Sequence, residues 1–213
     1  MAHTEEGAAS PLDRLPFEPG VRYGLAFSGG VDSACLLAAA LRRGVDVKAY
    51  CVRTAFQAAS DIEDALRLAD ELGCPFEVID VDILGHADIC ANPPERCYLC
   101  KRLIFGTIAQ RMAHDGRTVL VDGTNASDDP THRPGFRAMR ELGVVSPLRE
   151  AGLTKDAVRA LSRELGLFTA EKPSYACYAV HVAPGCAITR ESLAEAARAF
   201  GSGVDVPAAS RRV

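Results

Sequence analysis

The stretch FSGGVDSACL combines the residue types that bind a phosphate group. Gly29 and Gly30 let the backbone turn tightly and bring its N–H groups against an anion, and the positive end of the helix that follows adds to the attraction. Ser28 and Ser33 can donate hydroxyl hydrogen bonds, and Asp32 could hold a magnesium ion. The stretch is neither a Walker loop nor a Gly-x-Gly-x-x-Gly dinucleotide motif. A simple tight turn is the alternative, but the sequence favours a phosphate-binding loop.

Three cysteines form a second group of residues that could do chemistry. Cys97 and Cys100 make a C-x-x-C pair flanked by Arg96 and Lys101, and Cys177 follows much later in KPSYACYAV. Nearby cations favour the thiolate, which is the form that attacks carbon and binds metals. Three such thiolates could hold three corners of a four-iron cluster and leave one iron open. They could also stay free, or the C-x-x-C could be half of a zinc site, although no second pair completes one.

The remaining cysteines indicate the redox compartment more than the chemistry. Cys35, Cys51 and Cys74 fall in or beside predicted elements, where we expect them to pack as small hydrophobic residues, and Cys90 and Cys186 are reserves for a fourth ligand. The N-terminal sequence lacks the pattern of a signal peptide, and no apolar segment approaches membrane-spanning length. Eight cysteines in such a chain are typical of a cytoplasmic protein with free, catalytic or metal-binding thiols.

Strand and helix patterns alternate along the chain, starting with a buried strand just before the glycines. Strands are predicted at 22–27, 46–54, 76–82, 118–125 and 144–148, and helices at 31–43, 61–73, 98–113, 153–166 and 191–200. This alternation predicts an α/β fold, with a parallel twisted sheet and helices on both faces. Ligands of such sheets bind beyond the carboxyl ends of the strands, which is where the glycines lie.

Composition limits the classes of function. With 48% hydrophobic and 24% charged residues the chain can bury a core, and its 213 residues suit one large domain. We predict a flexible leader at 1–18, a domain at 19–170, and a last part at 171–213 with the third cysteine, a short helix and a tail. The net charge of −4 makes nucleic acid an unexpected partner.

Several blocks of sequence together resemble one known family. They are SGGVDS, NPPERCYLCK, DGTNASDDPTHRPG, LGVVSPLREAGLTK and RELGLFTAEKPSYAC, in that order, within roughly residues 20–190. The chain is similar to the LarE-type ATP-dependent sacrificial sulfur transferases of the PP-loop ATP pyrophosphatase superfamily. The resemblance implies that 19–170 is a PP-loop domain, and that a truncated C-terminal appendage follows it.

The same resemblance implies roles for individual residues. The loop around Asp32 would bind the phosphates of ATP with Mg²⁺, and Asp122, Thr124 and Asn125 would face the same site. Arg133 would neutralise a phosphate or a substrate carboxylate. From the residues alone, DGTN would be interpreted as a polar turn and Arg133 as part of a surface salt bridge.

The resemblance also implies the source of the sulfur. Family members with only the cysteine at the position of Cys177 give up its sulfur, which leaves dehydroalanine. Members that also have the C-x-x-C hold a [4Fe–4S] cluster on Cys97, Cys100 and Cys177, and an extra sulfide on the open iron is transferred. With all three, this chain resembles the cluster type, and Cys177 and Asp32 would be its catalytic residues.

The reaction expected from this resemblance is the ATP-dependent thiolation of a carboxylate, as in the synthesis of the nickel-pincer cofactor. Its partners would be a small nucleotide-like carboxylate and a sulfur donor, without a membrane, and the chain would form a homo-oligomer. Two departures leave the acceptor open. Val180, His181 and the Ala183–Pro184 pair replace the family's Ser, Arg and Tyr, and the family's C-terminal substrate-binding domain has no counterpart here. A tRNA-thiolating PP-loop enzyme and an ammonia-dependent ligase are the alternatives.

Overall fold

A parallel four-stranded sheet forms the centre of the structure, a computed structural model that describes residues 10–131, 133–174 and 176–200. The strands are β1 (Tyr23–Ala26), β2 (Val47–Arg53), β3 (Phe76–Asp80) and β4 (Val119–Asp122). Their order is β3-β2-β1-β4 and all three pairings are parallel. Because Ala26 is level with Asp122 in the register, the chain leaving β1 emerges beside the end of β4.

Helices cover both faces of this sheet, which confirms the predicted fold class. They are α1 (Val31–Arg42), α2 (Ala59–Glu71), α3 (Ala87–Cys90), α4 (Arg96–His114), α5 (Gly135–Glu141), α6 (Pro147–Glu150), α7 (Lys155–Glu164) and α8 (Arg190–Phe200). On one face Leu25 of β1 packs with Leu37 of α1 and Val158 of α7. On the other face Tyr50 of β2 packs with Phe105 of α4 and Met139 of α5. Burying two apolar faces is what makes a short parallel sheet stable.

A separate hydrophobic cluster, here called the C-terminal cluster, lies beside these two. Its buried members are Phe56, Ile83, Ile89, Tyr178, Ala179, Val182, Ile188, Leu193, Ala196 and Ala197. The cluster brings together the loop after β2, the turn around α3, the segment after Cys177, and α8. Cys100 and Cys177 both pack against it, so two of the three predicted ligand cysteines contact the same hydrophobic cluster.

The structure differs from two expectations. The predicted fifth strand at 144–148 is reduced to one bridge between Val145 and Val121, because Pro147 has no N–H to donate and starts α6 instead. The second half of the predicted leader is ordered, since Leu15 and Phe17 pack into the core beside α1. Residues 1–9 of the leader and the tail 201–213 lie outside the described residues. Within the described part of the chain, none of the helices is long and apolar enough to cross a membrane.

A charged network closes the end of the sheet remote from the glycines, and it provides a test of the fold. The Asp115 carboxylate accepts hydrogen bonds from Lys48 Nζ and Tyr50 Oη, each at 2.6 Å. These donors hold the pKa of Asp115 well below its usual value. A lowered carboxyl pKa contributes stability above the unfolded pKa of about 4, and this stability is lost as the pH falls below it.

Asp115→Asn is therefore expected to lower the urea midpoint of unfolding at pH 7, and the difference from the unaltered chain should shrink below about pH 4. Urea titrations at both pH values measure this. Asp70→Asn, on the exposed side of α2, is the control and should leave the midpoint nearly unchanged. A difference that is equally large at pH 3 would show that the carboxylate's charge does not act through Lys48 and Tyr50.

Candidate functional site

The loop between β1 and α1 follows a path that requires glycine. Gly29 has φ +71°, in the left-handed region. A Cβ on Gly29 would lie 2.7 Å from the carbonyl oxygen of Asp61 and 3.0 Å from the N atom of Ala65, both on α2. The loop is thus pressed against the start of α2. Any side chain at this position would have to push the two apart.

The N-terminus of α1 points out of this loop with its N–H groups available. Gly30 is the N-cap residue, and no side chain of the described residues caps the helix. Ser33 is buried, and its hydroxyl donates to the Gly30 carbonyl at 3.2 Å and accepts from the Ser28 N–H at 3.3 Å. Ser33 therefore holds the loop together from the inside. Uncapped N–H groups at the positive end of a helix are a binding site for an anion such as phosphate.

Asp32 lies between two donors from distant parts of the chain. Its carboxylate accepts a hydrogen bond from Asn125 Nδ2 at 3.1 Å and pairs with Lys155 Nζ at 2.6 Å. Lys155 begins α7, whose N-cap residue Thr154 accepts a hydrogen bond from the Ala157 N–H. The sequence analysis missed Lys155, although it lies in the block LGVVSPLREAGLTK. The structure thus places a cation beside the loop.

Asp122 lies beside the loop with its carboxylate hydrogen-bonded inside the protein. The residue is buried, and one carboxylate oxygen accepts from Ser146 Oγ at 2.7 Å while the other accepts from Thr124 Oγ1 at 2.6 Å. Both oxygens are thus engaged within the protein. Gly123 passes so close to α1 that a Cβ there would lie 2.6 Å from the Ser33 N atom. Asp122 fixes the turn after β4 against the phosphate-binding loop.

A cleft of about 580 Å³ opens beside the loop, and it contains both the loop and the third cysteine. Gly30, Asp32, Lys155, Lys172 and Cys177 all line it. Cys177 is held there in part because the N–H of the next residue, Tyr178, donates to the Phe56 carbonyl at 2.9 Å. The phosphate-binding loop and a thiol that is almost 150 residues away in sequence therefore face one space.

A smaller cavity of about 300 Å³ lies on the other side of the same loop. Its lining includes the apolar residues Phe27, Val52, Ile104 and Phe105 together with the polar residues Asp122 and Thr124. Ser28, Gly30, Asp32 and Gln57 line both cavities, so the two spaces meet at the loop. A ligand with a phosphate group at the loop could therefore extend in both directions.

The larger cleft also contains a partly buried lysine that the sequence analysis did not assign to the site. Lys172 Nζ pairs with Asp61 Oδ1 at 2.9 Å and with Asp64 Oδ2 at 2.6 Å, both on α2. Burial opposes the charge on Lys172, but the hydrogen bonds to the two carboxylates outweigh it and raise the lysine's pKa. Lys172 precedes Cys177 by five residues, so it ties the cysteine-bearing segment to α2.

Arg96 brings two of the predicted ligand cysteines together. Its guanidinium donates to Cys97 Sγ at 3.5 Å and to Cys177 Sγ at 3.9 Å. Cys100 is more deeply placed, and burial raises the pKa of its thiol to about 12. Within residues 10–131, 133–174 and 176–200, no three His, Cys, Asp or Glu side chains are arranged to hold a metal ion. The thiols converge on one region without forming a finished metal site.

The other cysteines divide by burial. Cys35, Cys51 and Cys74 are buried among apolar residues, as predicted, and burial raises the pKa of Cys35 to about 11 and that of Cys51 to about 12. These thiols are protonated at neutral pH and do not reach the cleft. Cys90 donates to the carbonyl of Ile83, while Cys186 is exposed.

Two further residues from the sequence analysis lie at different places. Arg133 is mostly exposed and pairs with Asp128 Oδ1 at 2.7 Å. It lines a separate groove of about 340 Å³ with Arg137 and Arg140, and lines neither cavity at the loop. His181, which stands where the family has Arg, stacks on Phe200 with ring centroids 4.0 Å apart, and both rings line the larger cleft.

Comparison with known proteins identifies the family of the chain. The sequence profile of the asparagine synthase family matches residues 17–94. An uncharacterized protein of Synechocystis sp. is 32% identical over 82% of this chain and 66% of its own length. The pyridinium-3,5-bisthiocarboxylic acid mononucleotide synthase of Lactiplantibacillus plantarum is 32% identical over 82% of this chain and 64% of its own length. The tRNA-specific 2-thiouridylase MnmA of Thermotoga petrophila is 25% identical over 71% of this chain and 54% of its own.

These matches agree with the geometry of the site. The chain spans less than two thirds of the length of these relatives. The matched part includes the strand, loop and helix that form the anion site, and the two relatives at 32% identity share most of the chain. The chain belongs to the LarE-type family of the PP-loop ATP pyrophosphatase superfamily.

Proposed function

We propose that this chain is an ATP-dependent sulfur transferase that converts a small carboxylate into a thiocarboxylate. The observation that carries the proposal is the shared cleft, in which the phosphate-binding loop and Cys177 face the same space. A thiolation reaction needs an activated carboxylate and a sulfur nucleophile within reach of each other. The similarity to a bisthiocarboxylic acid mononucleotide synthase supports the same chemistry. We expect the reaction to take place in the cytoplasm.

In this proposal the phosphates of ATP bind to the N–H groups at the start of α1. Lys155 would turn from Asp32 towards the phosphates, since the two side chains are only partly buried and the lysine lines the cleft. The adenine ring would occupy the smaller cavity, where Phe27, Val52 and Phe105 offer apolar walls. Mg²⁺ is commonly held by one or two carboxylates together with phosphate oxygens and waters, so the partly exposed Asp32 carboxylate suits it.

Two bond exchanges complete the proposed reaction. A carboxylate oxygen of the substrate attacks the α-phosphorus of ATP, the α–β phosphoanhydride bond breaks, and pyrophosphate leaves. The carboxyl carbon is then joined to AMP, which is a far better leaving group than an oxide. Hydrosulfide held beside Cys177 attacks that carbon, AMP departs with the electron pair of the C–O bond, and the product is the free thiocarboxylate. If the Cys177 thiolate is the nucleophile, the product of this exchange is a thioester; removal of the Cα proton of Cys177 then breaks its Cβ–S bond, which releases the thiocarboxylate and leaves dehydroalanine. The α1 N–H groups and Lys155 would stabilise the charge that develops on the phosphates.

A [4Fe–4S] cluster would be held by Cys97, Cys100 and Cys177. The donor set fits in kind, because thiolates are the ligands of such clusters and two of the three thiols meet at Arg96. When bound, the cluster would supply a sulfide on an iron that has no protein ligand. Cys177 would then orient that sulfide towards the cleft. Because burial raises the pKa of the Cys100 thiol to about 12, that thiol would lose its proton only on binding metal.

The test of the proposed function is a product assay. The purified chain is incubated anaerobically with ATP, Mg²⁺, sulfide and a panel of carboxylates, including pyridine carboxylate nucleotides. We expect pyrophosphate and AMP in equal amounts and a product heavier by the mass difference between sulfur and oxygen. Asp32→Ala should suppress pyrophosphate release, whereas Asp156→Ala, on the exposed first turn of α7, should not. Release of ADP and inorganic phosphate instead would contradict the proposal.

Thiolation of tRNA is the second candidate, because the chain is similar to tRNA-specific 2-thiouridylases. The groove formed by Arg133, Arg137 and Arg140 is a surface that could contact a phosphate backbone. This function predicts RNA binding whose affinity falls steeply as salt is raised, and loss of that binding when Arg140 is replaced by Glu. Salt-independent or absent RNA binding would leave the carboxylate as the acceptor.

A further inference from the structure

Arg96 is a buried charge at the centre of the cysteine region. It is the first residue of α4 and only 9% exposed. The side chain spans from its neighbour Cys97 to Cys177, which is 81 residues away in the chain. The guanidinium lies at the start of α4 and contacts Cys177, which lines the cleft.

Nothing among the described residues neutralises this charge except sulfur. A guanidinium is permanently protonated, and buried charges in proteins are normally paired. The comparable buried arginine, Arg117, is 8% exposed and pairs with the Asp46 carboxylate at 2.9 Å. Arg96 forms no ion pair with a carboxylate in the described part of the chain, and the hydrogen bonds of its side chain go to Cys97 and Cys177. A neutral thiol is a poor acceptor, so the site is built for an anion.

We propose that Arg96 is the positioning residue for the sulfur that is transferred. Its fixed charge binds anionic sulfur at Cys177, which is the thiolate itself or a sulfide carried next to it. This inference rests on the proposed function, because thiolation needs a sulfur anion that faces the activated carboxylate. The guanidinium also fixes the direction of the sulfur. Cys177 accepts from Arg96 and lines the cleft, whereas Arg96 does not line it.

The experiment compares two alkylating reagents that differ in charge. Full-length chain freed of metal by a chelator reacts with anionic iodoacetate and with neutral iodoacetamide, and peptide mass spectrometry gives the rate at each cysteine. The same thiolate attacks both reagents, so the ratio of the rates does not depend on how much thiolate is present. The ratio reports the local potential that an incoming anion meets.

In the unaltered chain the iodoacetate-to-iodoacetamide ratio should be higher at Cys177 than at the exposed Cys186. Arg96→Gln should lower the ratio at Cys177 by about threefold or more, the effect expected of one unit charge near a partly buried atom. Arg96→Lys keeps the charge and should keep most of the ratio. The ratio at Cys186 should be the same in all three proteins.

Two results would overturn the inference. One is an equal ratio at Cys177 and Cys186 in the unaltered chain, a measurement that needs no variant and so does not depend on a variant's folding. The other is an equal ratio at Cys177 in the Gln variant and the unaltered chain. Protection of the buried Cys35 from both reagents verifies that each variant is folded. ATP takes no part in the measurement, so a failed product assay and a failed reagent comparison can be told apart.

Discussion

Cys177→Ala is expected to abolish formation of the thiocarboxylate, with a loss of about 10³-fold or more, because a nucleophile cannot be replaced by the rest of the site. Release of pyrophosphate in the first turnover should persist. The loop, Asp32 and Lys155 are held by contacts with α2, α7 and the turn after β4, none of which involves the thiol in the described residues. Mass spectrometry of the product and a pyrophosphate assay measure the two steps separately.

The matched control for this variant is Cys186→Ala, which removes an exposed thiol outside the cleft and should change neither step. Iron and acid-labile sulfide, measured after anaerobic reconstitution, add the test of the cluster. Cys97→Ala, Cys100→Ala and Cys177→Ala should each lose the visible absorption. Thiocarboxylate formation by Cys177→Ala at the full rate would mean that the sulfur reaches the carboxylate by another route. A colourless reconstituted chain would remove the cluster from the proposal.

Gly29→Ala is expected to have the second largest effect on the site, because the new methyl group brings both backbone strain and a steric clash. An L-residue in the left-handed region costs about 1–2 kcal/mol. The new Cβ would also meet the Asp61 carbonyl oxygen at 2.7 Å, and this contact forces the loop away from α2. Moving the loop redirects the N–H groups that bind phosphate. ATP affinity should fall by about 100-fold, as expected when several charge-assisted hydrogen bonds are lost together. Isothermal titration with ATP and Mg²⁺ measures it.

The chain offers a matched control for the backbone cost alone. Gly44 has a similar φ of +68°, but no heavy atom of the described residues lies within 4 Å of the position of its Cβ. Gly44→Ala should therefore lower stability by only about 1–2 kcal/mol and leave ATP binding unchanged. If the two variants bind ATP equally well, the contact between the loop and α2 does not shape the nucleotide site.

The fold could be predicted from sequence because its elements are local patterns. The four strands and the longer helices between them follow from apolar periodicity, and the glycines mark the junction where a parallel sheet is expected to bind a ligand. The prediction of a fifth strand was wrong, for a reason that is visible in the sequence. Val144 and Val145 have the composition of a strand, but Pro147 cannot donate to a ladder and is well suited to begin a helix.

The site was less predictable, because its charges are assembled by tertiary contacts. Lys155 and Lys172 have the sequence context of surface lysines, and only the packing of α7 and α2 brings them into the cleft. Asp122 carries its carboxylate towards the loop, but Ser146 and Thr124 occupy it. Arg133 lies in a solvent-exposed groove with its own acidic partner, as the residues alone suggested. The positions of Lys155, Lys172 and the Asp122 carboxylate cannot be derived from spacing, since each depends on where a neighbouring segment folds back.

The C-terminal cluster has a consequence for how such a protein can diversify. The walls proposed to bind the nucleotide rest on the sheet and on α1 and α7, whereas the wall that carries Cys177 rests on a distinct set of apolar side chains that includes Leu193 of α8. Substitutions that reshape the second wall can therefore accumulate while the first stays intact. In the proposed reaction, the acceptor molecule could therefore change during evolution while the residues that bind ATP stay the same.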